Sequence, residues 1–201
     1  MTDSSLLSVP RAAEFLEILH ERLPPKTLRH SVSTAVFLER HTAVMGVDRE
    51  RAVTAGLLHD LAKGATDEEL LAAAARYGIP IGEAQRAKPA LLHGPVSAEE
   101  CRHTLGVTDE AVCEAIYWHT TGKPGLGRLG LAVYFADYAE PRRTHPQAAV
   151  ARRMLDVDGY EKALLFAAAQ KLDHVRTRKV IDPVTGAFYR WLEQAVRNGT
   201  W

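Results

Sequence analysis

Residues 55–63 read AGLLHDLAK, and this stretch decides the fold. His59 follows Ala55 and Ala52 by four and seven residues, and Asp60 follows Gly56 and Val53 at the same offsets. Those are the spacings of helix faces, not of an alternating strand. The uncharged run around them, residues 52–58, and a second one, LGLAVYFA at 129–136, fall far short of the ~20 residues that span a bilayer. Both predict buried core helices.

Working outward, Ser8 and Pro10 open a helix that runs to about residue 23, and Pro24-Pro25 break it. A second helix is expected over residues 26–45, and Asp48 caps the one carrying His59 and Asp60, which should end near Lys63-Gly64. Thr66 with Glu69 forms a capping box for a helix ending at Tyr77-Gly78, and residues 79–92 read as a connection. Pro95 suits a first helical position. Thr108 is the expected cap of a helix reaching His119, and residues 129–140 form a very apolar helix stopped by Pro141. Helices near residues 147–155, 159–172 and 186–196 complete the chain. No alternating pattern competes, so the fold class is all-α, a single domain over residues 1–201 with its motif-bearing core at 26–185.

The chain has 201 residues with 25 Lys+Arg against 25 Asp+Glu. Zero formal charge leaves no excess of cations to displace phosphate counterions, which argues against long nucleic acid or an anionic membrane as partner. A small polyphosphate can still find a local basic pocket. The N-terminus, MTDSSLLSVP, lacks the basic and apolar regions of a secretory signal, so a cytoplasmic location is expected. Cys101 and Cys113 lie twelve apart without CxxC spacing and read as reduced structural thiols.

Several polar residues interrupt apolar faces. For His59 and Asp60 alone, a plain Lys63–Asp60 or His59–Asp60 interaction is a sufficient reading. The pattern recurs, however. His119 follows Val112, Ala115 and Ile116 at helical offsets, Asp137 interrupts a run apolar enough to be buried on every side, His93 lies just before a helix start, and His30 sits one turn before Thr34. A buried carboxylate needs ionic compensation. One divalent metal, or a pair, is a natural common partner, since imidazole and carboxylate suit iron, manganese or zinc. His20, His41, His103, His145 and His174 lack this setting. The loop TTGKPG at 120–125 offers glycines that let amides approach phosphate, although a simple turn explains the same composition. Gly125, Gly127 and Gly130 satisfy GxGxxG by accident: no strand precedes them and no acidic residue follows at the required distance.

His30, then His59-Asp60 in AGLLHDLAK, then Asp137, resembles the HD-domain metal-dependent phosphohydrolase superfamily. The phrases LLHGPVSAEE (91–100), AIYWHTTGKPG (115–125) and FADYAEPRR (135–143), in this order, are similar to the YqeK-type bacterial members, which split diadenosine tetraphosphate symmetrically into two ADP. The resemblance covers about residues 28–185. It implies an HD-type helical bundle with a buried metal site, in which His30, His59, Asp60 and Asp137 hold a first metal. Iron is the family's ion, with manganese, zinc or magnesium as alternatives. His93 and His119 either ligate a second metal bridged by Asp60 or contact phosphate. Nucleotide contacts are implied at Lys63, His93, His119, Thr120 and Arg143, and in the segment from Val180 to Thr185, where Asp182 stands before Pro183 in place of the usual His. The motif around His30, LRHSVSTAVFLERH, is also looser than the common form.

On this reading a metal-activated water attacks a central phosphate, and no serine or cysteine nucleophile is needed. Asp60, Lys63, His93 and His119 are the catalytic candidates, with Lys63, Arg143 and, in reserve, Arg142 as cations for the developing charge. Another nucleotide, such as a mononucleotide or a guanosine alarmone, stays open as substrate, as does a non-catalytic nucleotide-binding regulatory module. Retention of all six candidate ligands plus Lys63 favours an enzyme. The expected partners are a dinucleoside polyphosphate or other nucleotide, no long nucleic acid and no membrane, with a homodimer left open.

Overall fold

The segment LGLAVYFA leaves no polar face for water, and the helix it forms is buried around its whole circumference from Leu129 to Ala136. In the computed structural model, which describes residues 5–177 and 182–200, the helices are α1 (Ala12–Arg22), α2 (Pro25–Met45), α3 (Arg49–Leu58), α4 (Asp67–Tyr77), α5 (Glu83–Ala87), α6 (His93–His103), α7 (Glu110–Trp118), α8 (Arg128–Ala139), α9 (Pro146–Val157), α10 (Tyr160–Arg176) and α11 (Pro183–Asn198). Short 3-10 turns cover Leu6–Ser8 and Pro89–Leu92, and there is no strand among the described residues. The fold is an all-helical bundle. None of these helices is long and apolar enough to cross a membrane.

The centre of the bundle is α8 with α3, enclosed by α2, α7 and α10. Phe15, Leu19, Leu38, Met45, Leu57, Leu58, Tyr134, Phe135 and Phe188 are fully buried there, each contributing about 1.5–3 kcal/mol through apolar burial. Helices α2 and α3 cross closely because Gly56 has no side chain: a Cβ there would lie 2.8 Å from Ala35 Cα. A smaller cluster of Leu70, Ala74, Ile79, Leu92 and Val96 seats α4 and the Pro89–Leu92 turn on α6. Cys101 and Cys113 are buried free thiols.

The helix ends follow the sequence with instructive exceptions. Asp48 accepts from the Arg51 amide, and Thr66 and Glu69 form the reciprocal capping box. Asp109, not Thr108, caps α7: it stands directly before the first helical residue, and its carboxylate accepts from the amides of both Ala111 and Val112. His145 caps α9 by accepting from the Ala148 amide, and Asp182 caps α11 by accepting from Val184. Residues 79–92 hold α5 and the 3-10 turn rather than an irregular connection. Pro95 is the third residue of α6 rather than the first; the first turn of a helix has no intrahelical use for its N–H groups, so proline fits there too. Finally, α3 stops at Leu58, not near Lys63. Residues 59–63 continue as tight turns in which Leu61 N–H donates to Leu58 O (3.1 Å) and Lys63 N–H to Asp60 O (2.9 Å). The HD pair therefore stands on a turn beyond a helix end.

Candidate metal centre

Helix ends bring the site together. His30 comes from the first third of α2, His59 and Asp60 from the turn after α3, His93 is the first residue of α6, His119 follows the last residue of α7, and Asp137 lies in the last turn of α8. His59, Asp60, His93 and His119 are buried, His30 and Asp137 half-buried. Asp137 is thus not sealed on every side: its side chain opens from α8 toward the other ligands.

Three of the imidazoles are oriented in one way. Nδ1–H of His59 donates to Gly56 O (2.9 Å), that of His93 to Ala90 O (2.6 Å) and that of His119 to Ile116 O (2.7 Å). A carbonyl can only accept, so each Nδ1 carries the proton and each Nε2 bares its lone pair. His30 turns its Nδ1 to Glu140 Oε1 at 2.9 Å. The four Nε2 atoms converge: His30 and His59 are 3.2 Å apart, His93 and His119 3.0 Å. In this tautomer the His93–His119 contact sets two lone pairs face to face in a buried pocket, with the Lys63 ammonium (3.0 Å from His93 Nε2) and the Thr120 hydroxyl (3.2 and 3.0 Å from the two rings) beside them. Such an array suits a cation. Lone pairs locked inward by second hydrogen bonds are the usual setting of metal-ligating histidines.

Asp60 joins the two halves. Its Oδ2 lies 3.8 and 3.5 Å from Nε2 of His30 and His59, and its Oδ1 3.1 and 3.5 Å from Nε2 of His93 and His119. Among the described residues, His30, His59 and Asp60 form one group able to hold a metal ion, and Asp60, His93 and His119 a second, with the ligand atoms of each group within 4.8 Å of one another. Asp137 Oδ1 stands 3.1 Å from His30 Nε2 and 4.0 Å from His59 Nε2, at the edge of the first group. The donor set of imidazole nitrogens and carboxylates fits a divalent transition metal.

The charges are balanced within the pocket. Burial raises the cost of ionising Asp60, and with the buried imidazoles beside it neutral, the Lys63 ammonium 3.2 Å from Oδ1 is the cation that holds its carboxyl below the usual range. Asp137 is likewise driven down, against burial, by Lys171, His30 and Arg143. Burial holds His59 neutral, its value lowered to about 3. His30 moves the other way: burial opposes its charge, but Asp137 and Glu140 prevail and push it up to about 9 in the metal-free chain.

Arg143 donates to Asp137 Oδ1 (2.5 Å) and to the Asp137 carbonyl (2.7 Å), and its Nη2 lies 3.2 Å from His30 Nε2. Lys63 is 3.2 Å from Asp60 Oδ1 with its side chain 43 % exposed, so it faces both the centre and solvent. Arg142 does not join them; its amide donates to Glu140 Oε2 (2.6 Å) while its side chain lines a groove beside α2. Thr185 is buried in the first turn of α11, its amide bound to Asp182 O (3.1 Å), and Val180 lies outside the described residues.

Two site residues escaped the sequence reading. Lys171 Nζ reaches Asp137 Oδ2 (3.4 Å) and the His119 carbonyl (3.2 Å). Glu140, 1 % exposed, anchors His30. Gly94 also matters to the geometry, since a Cβ there would lie 2.9 Å from Tyr117 O and 3.2 Å from the His119 ring.

Comparison with known proteins agrees with this geometry. The HD domain family model matches residues 27–169. A Bacillus subtilis protein named bis(5'-nucleosyl)-tetraphosphatase, symmetrical, is 30% identical over 182 residues, covering 89% of this chain and 96% of its own length. A protein of the same name from Halalkalibacterium halodurans is 30% identical over 146 residues, 71% of this chain and 76% of that one. A crystal structure from Clostridium acetobutylicum, described as a predicted HD superfamily hydrolase involved in NAD metabolism, matches with a TM-score of 0.85 at 28% identity over 93% of this chain and 99% of that one. Ligand geometry, family match and relatives together establish that the chain belongs to the HD-domain phosphohydrolases.

Proposed function

We propose that residues 1–201 form one catalytic domain that splits diadenosine tetraphosphate symmetrically into two ADP. The observation that carries this reading is the convergence of four locked or anchored imidazoles and two carboxylates on a pocket edged by Lys63, Thr120 and Arg143. The names of the relatives support a dinucleoside tetraphosphate as the substrate.

His30, His59, Asp60 and Asp137 would hold a first ion, with iron ahead of manganese, zinc and magnesium. Asp60, His93 and His119 would hold a second or, with one ion, meet phosphate oxygens. A bound divalent cation supplies a Lewis acid and a water acidic enough to act as nucleophile near neutral pH. The chain's own residues do the rest. Lys63 presents its ammonium to the phosphate chain beside Asp60, Thr120 offers a hydroxyl between His93 and His119, and Arg143 braces Asp137 while meeting charge that develops on the transferred phosphoryl group. Thr185, in the first turn of α11, would contact the nucleoside; Val180, the other expected contact, lies outside the described residues.

Product analysis on diadenosine tetraphosphate with the metal-loaded protein tests this. ADP as sole nucleotide product is the expected result; ATP with AMP would overturn symmetric attack. Intact metal content and turnover in both Asp60→Ala and Asp137→Ala would overturn the site. A second reading, a nucleotide connected with NAD, is favoured by the described role of the Clostridium acetobutylicum protein, and assaying NAD and its precursors in parallel separates the two.

A further inference from the structure

We propose that the groove between α1, α2 and α9 receives the second nucleoside of the substrate, so that the polyphosphate crosses the metal centre with one nucleoside on each side. This rests on the dinucleoside reading above and specifies how the two arms are held.

Each half of the centre has a hollow on its side. The His93–His119 half opens beside Thr120 on a small hollow of about 310 Å³, lined by Tyr117, Trp118, Gln85 and Asp182. On the His30 side of the bundle lies a groove of about 1050 Å³, whose lining includes Arg29 and Ser33 but none of the candidate ligands. Two links join that groove to the centre. Ser33, one helical turn past His30 on α2, lines the groove and hydrogen-bonds Glu140, which in turn binds His30. Arg142 lines it too, directly before Arg143, which contacts Asp137 and His30. A single-nucleoside substrate would need only one hollow.

The groove's chemistry fits a nucleoside diphosphate arm. Leu28, Val32, Val36 and Phe37 from α2 and Leu16 and Leu155 opposite give it an apolar wall for a base. Arg29, next to His30 in the chain, and Arg142, next to Arg143, both line it and would meet the phosphates. Glu17 and Asp156 supply acceptors for an exocyclic amine or ribose hydroxyls. The α2 stretch that lines it, residues 28–41, is ~20 Å long at 1.5 Å per residue, enough for two phosphates and a nucleoside.

The test is the number of ADP molecules bound by the manganese-loaded protein, measured by titration calorimetry. Wild type should bind two per chain. Val36→Trp, which fills the groove, should bind one and raise the KM for diadenosine tetraphosphate about tenfold or more. Arg29→Glu, an exposed change that leaves packing untouched, should weaken the second ADP about tenfold and decides the matter if Val36→Trp fails to fold. One ADP on wild type, or two on both variants with unchanged affinity, overturns the proposal. A change of oligomeric state in Val36→Trp would overturn it in favour of a second copy of this chain as occupant. If wild type yields two ADP from the substrate yet binds only one, the groove assignment alone falls. If it does not cleave the substrate at all, the functional reading falls and takes this one with it.

Discussion

Lys171 Nζ stands 3.4 Å from Asp137 Oδ2 and 3.8 Å above the Tyr134 ring, so an ammonium binds one oxygen of Asp137 while the other, Oδ1, is left toward His30. Lys171→Met removes that hold. Metal affinity should fall about 10–100-fold, as when an outer partner of a ligand is lost. Asp137 keeps Arg143 and His30 on its other oxygen, so the stability cost should be that of one charged hydrogen bond, about 1.5–3 kcal/mol. Competition with a chelator and a urea melt measure the two effects; unchanged affinity would show that Lys171 is merely packed there.

Asp60 bridges two unequal groups, and single substitutions should separate them. His59→Ala should leave less than about a tenth of the wild-type metal content, since it removes a ligand that also bears on Asp60. His93→Ala should retain at least one ion per chain while turnover drops about 10²–10³-fold. Elemental analysis beside steady-state kinetics checks both, and loss of all metal from His93→Ala would merge the groups into one.

The His30 imidazole, at about 9 in the metal-free chain, titrates above the ~6.5 of an unfolded histidine. The folded value is the higher one, so protonated His30 stabilises the fold fully below ~6.5 and this contribution is lost as pH rises through about 9. Chelator-treated protein should therefore melt at a lower temperature above that pH than at neutrality, and His30→Gln should flatten the difference. Metal loading needs the same Nε2 lone pair, so it should release a proton near neutral pH. Calorimetry in buffers of different ionisation enthalpy reads that proton; buffer-independent heats would contradict it.

Gly56→Ala tests the α2–α3 crossing. The added methyl meets Ala35 Cα and Leu38 Cδ1, both at 2.8 Å, and because the first is backbone the helices must part. A loss of about 1–3 kcal/mol is expected from overpacking, seen as a lower denaturant midpoint with unchanged slope.

Much of this was legible because a ligand on an apolar face breaks a period. His59, Asp60 and His119 follow apolar residues at helical offsets, Asp137 interrupts an apolar run, His93 precedes a helix start and His30 lies one turn before Thr34, and the structure places all six side by side. Lys171 breaks the period of α10 in the same way, following Ala167 and Leu164 by four and seven residues. It passes unnoticed because a lysine stem commonly rests on apolar surface with its head in water. Glu140, next to Pro141, looks like an ordinary solvated helix end, and only the return of α2 beside α8 shows what it binds. The end of α3 was misplaced for a different reason: Leu61 and Ala62 keep the apolar pattern going through the turns, where they are buried, so periodicity alone does not register that the α-helix has stopped.

The carbonyls that orient His59, His93 and His119 each belong to the residue three positions earlier in the chain. Each imidazole is therefore aimed by its own local turn and borrows nothing from a distant segment. Orientation is acquired with secondary structure, and tertiary assembly has only to set the spacing between turns. An arriving ion then meets donors that have already lost their rotational freedom, and its binding energy goes into clamping α3, α6 and α7 together rather than into ordering side chains. The centre is in that sense a cross-link between chain segments, and its occupancy should be felt as much in the cohesion of the bundle as in its chemistry.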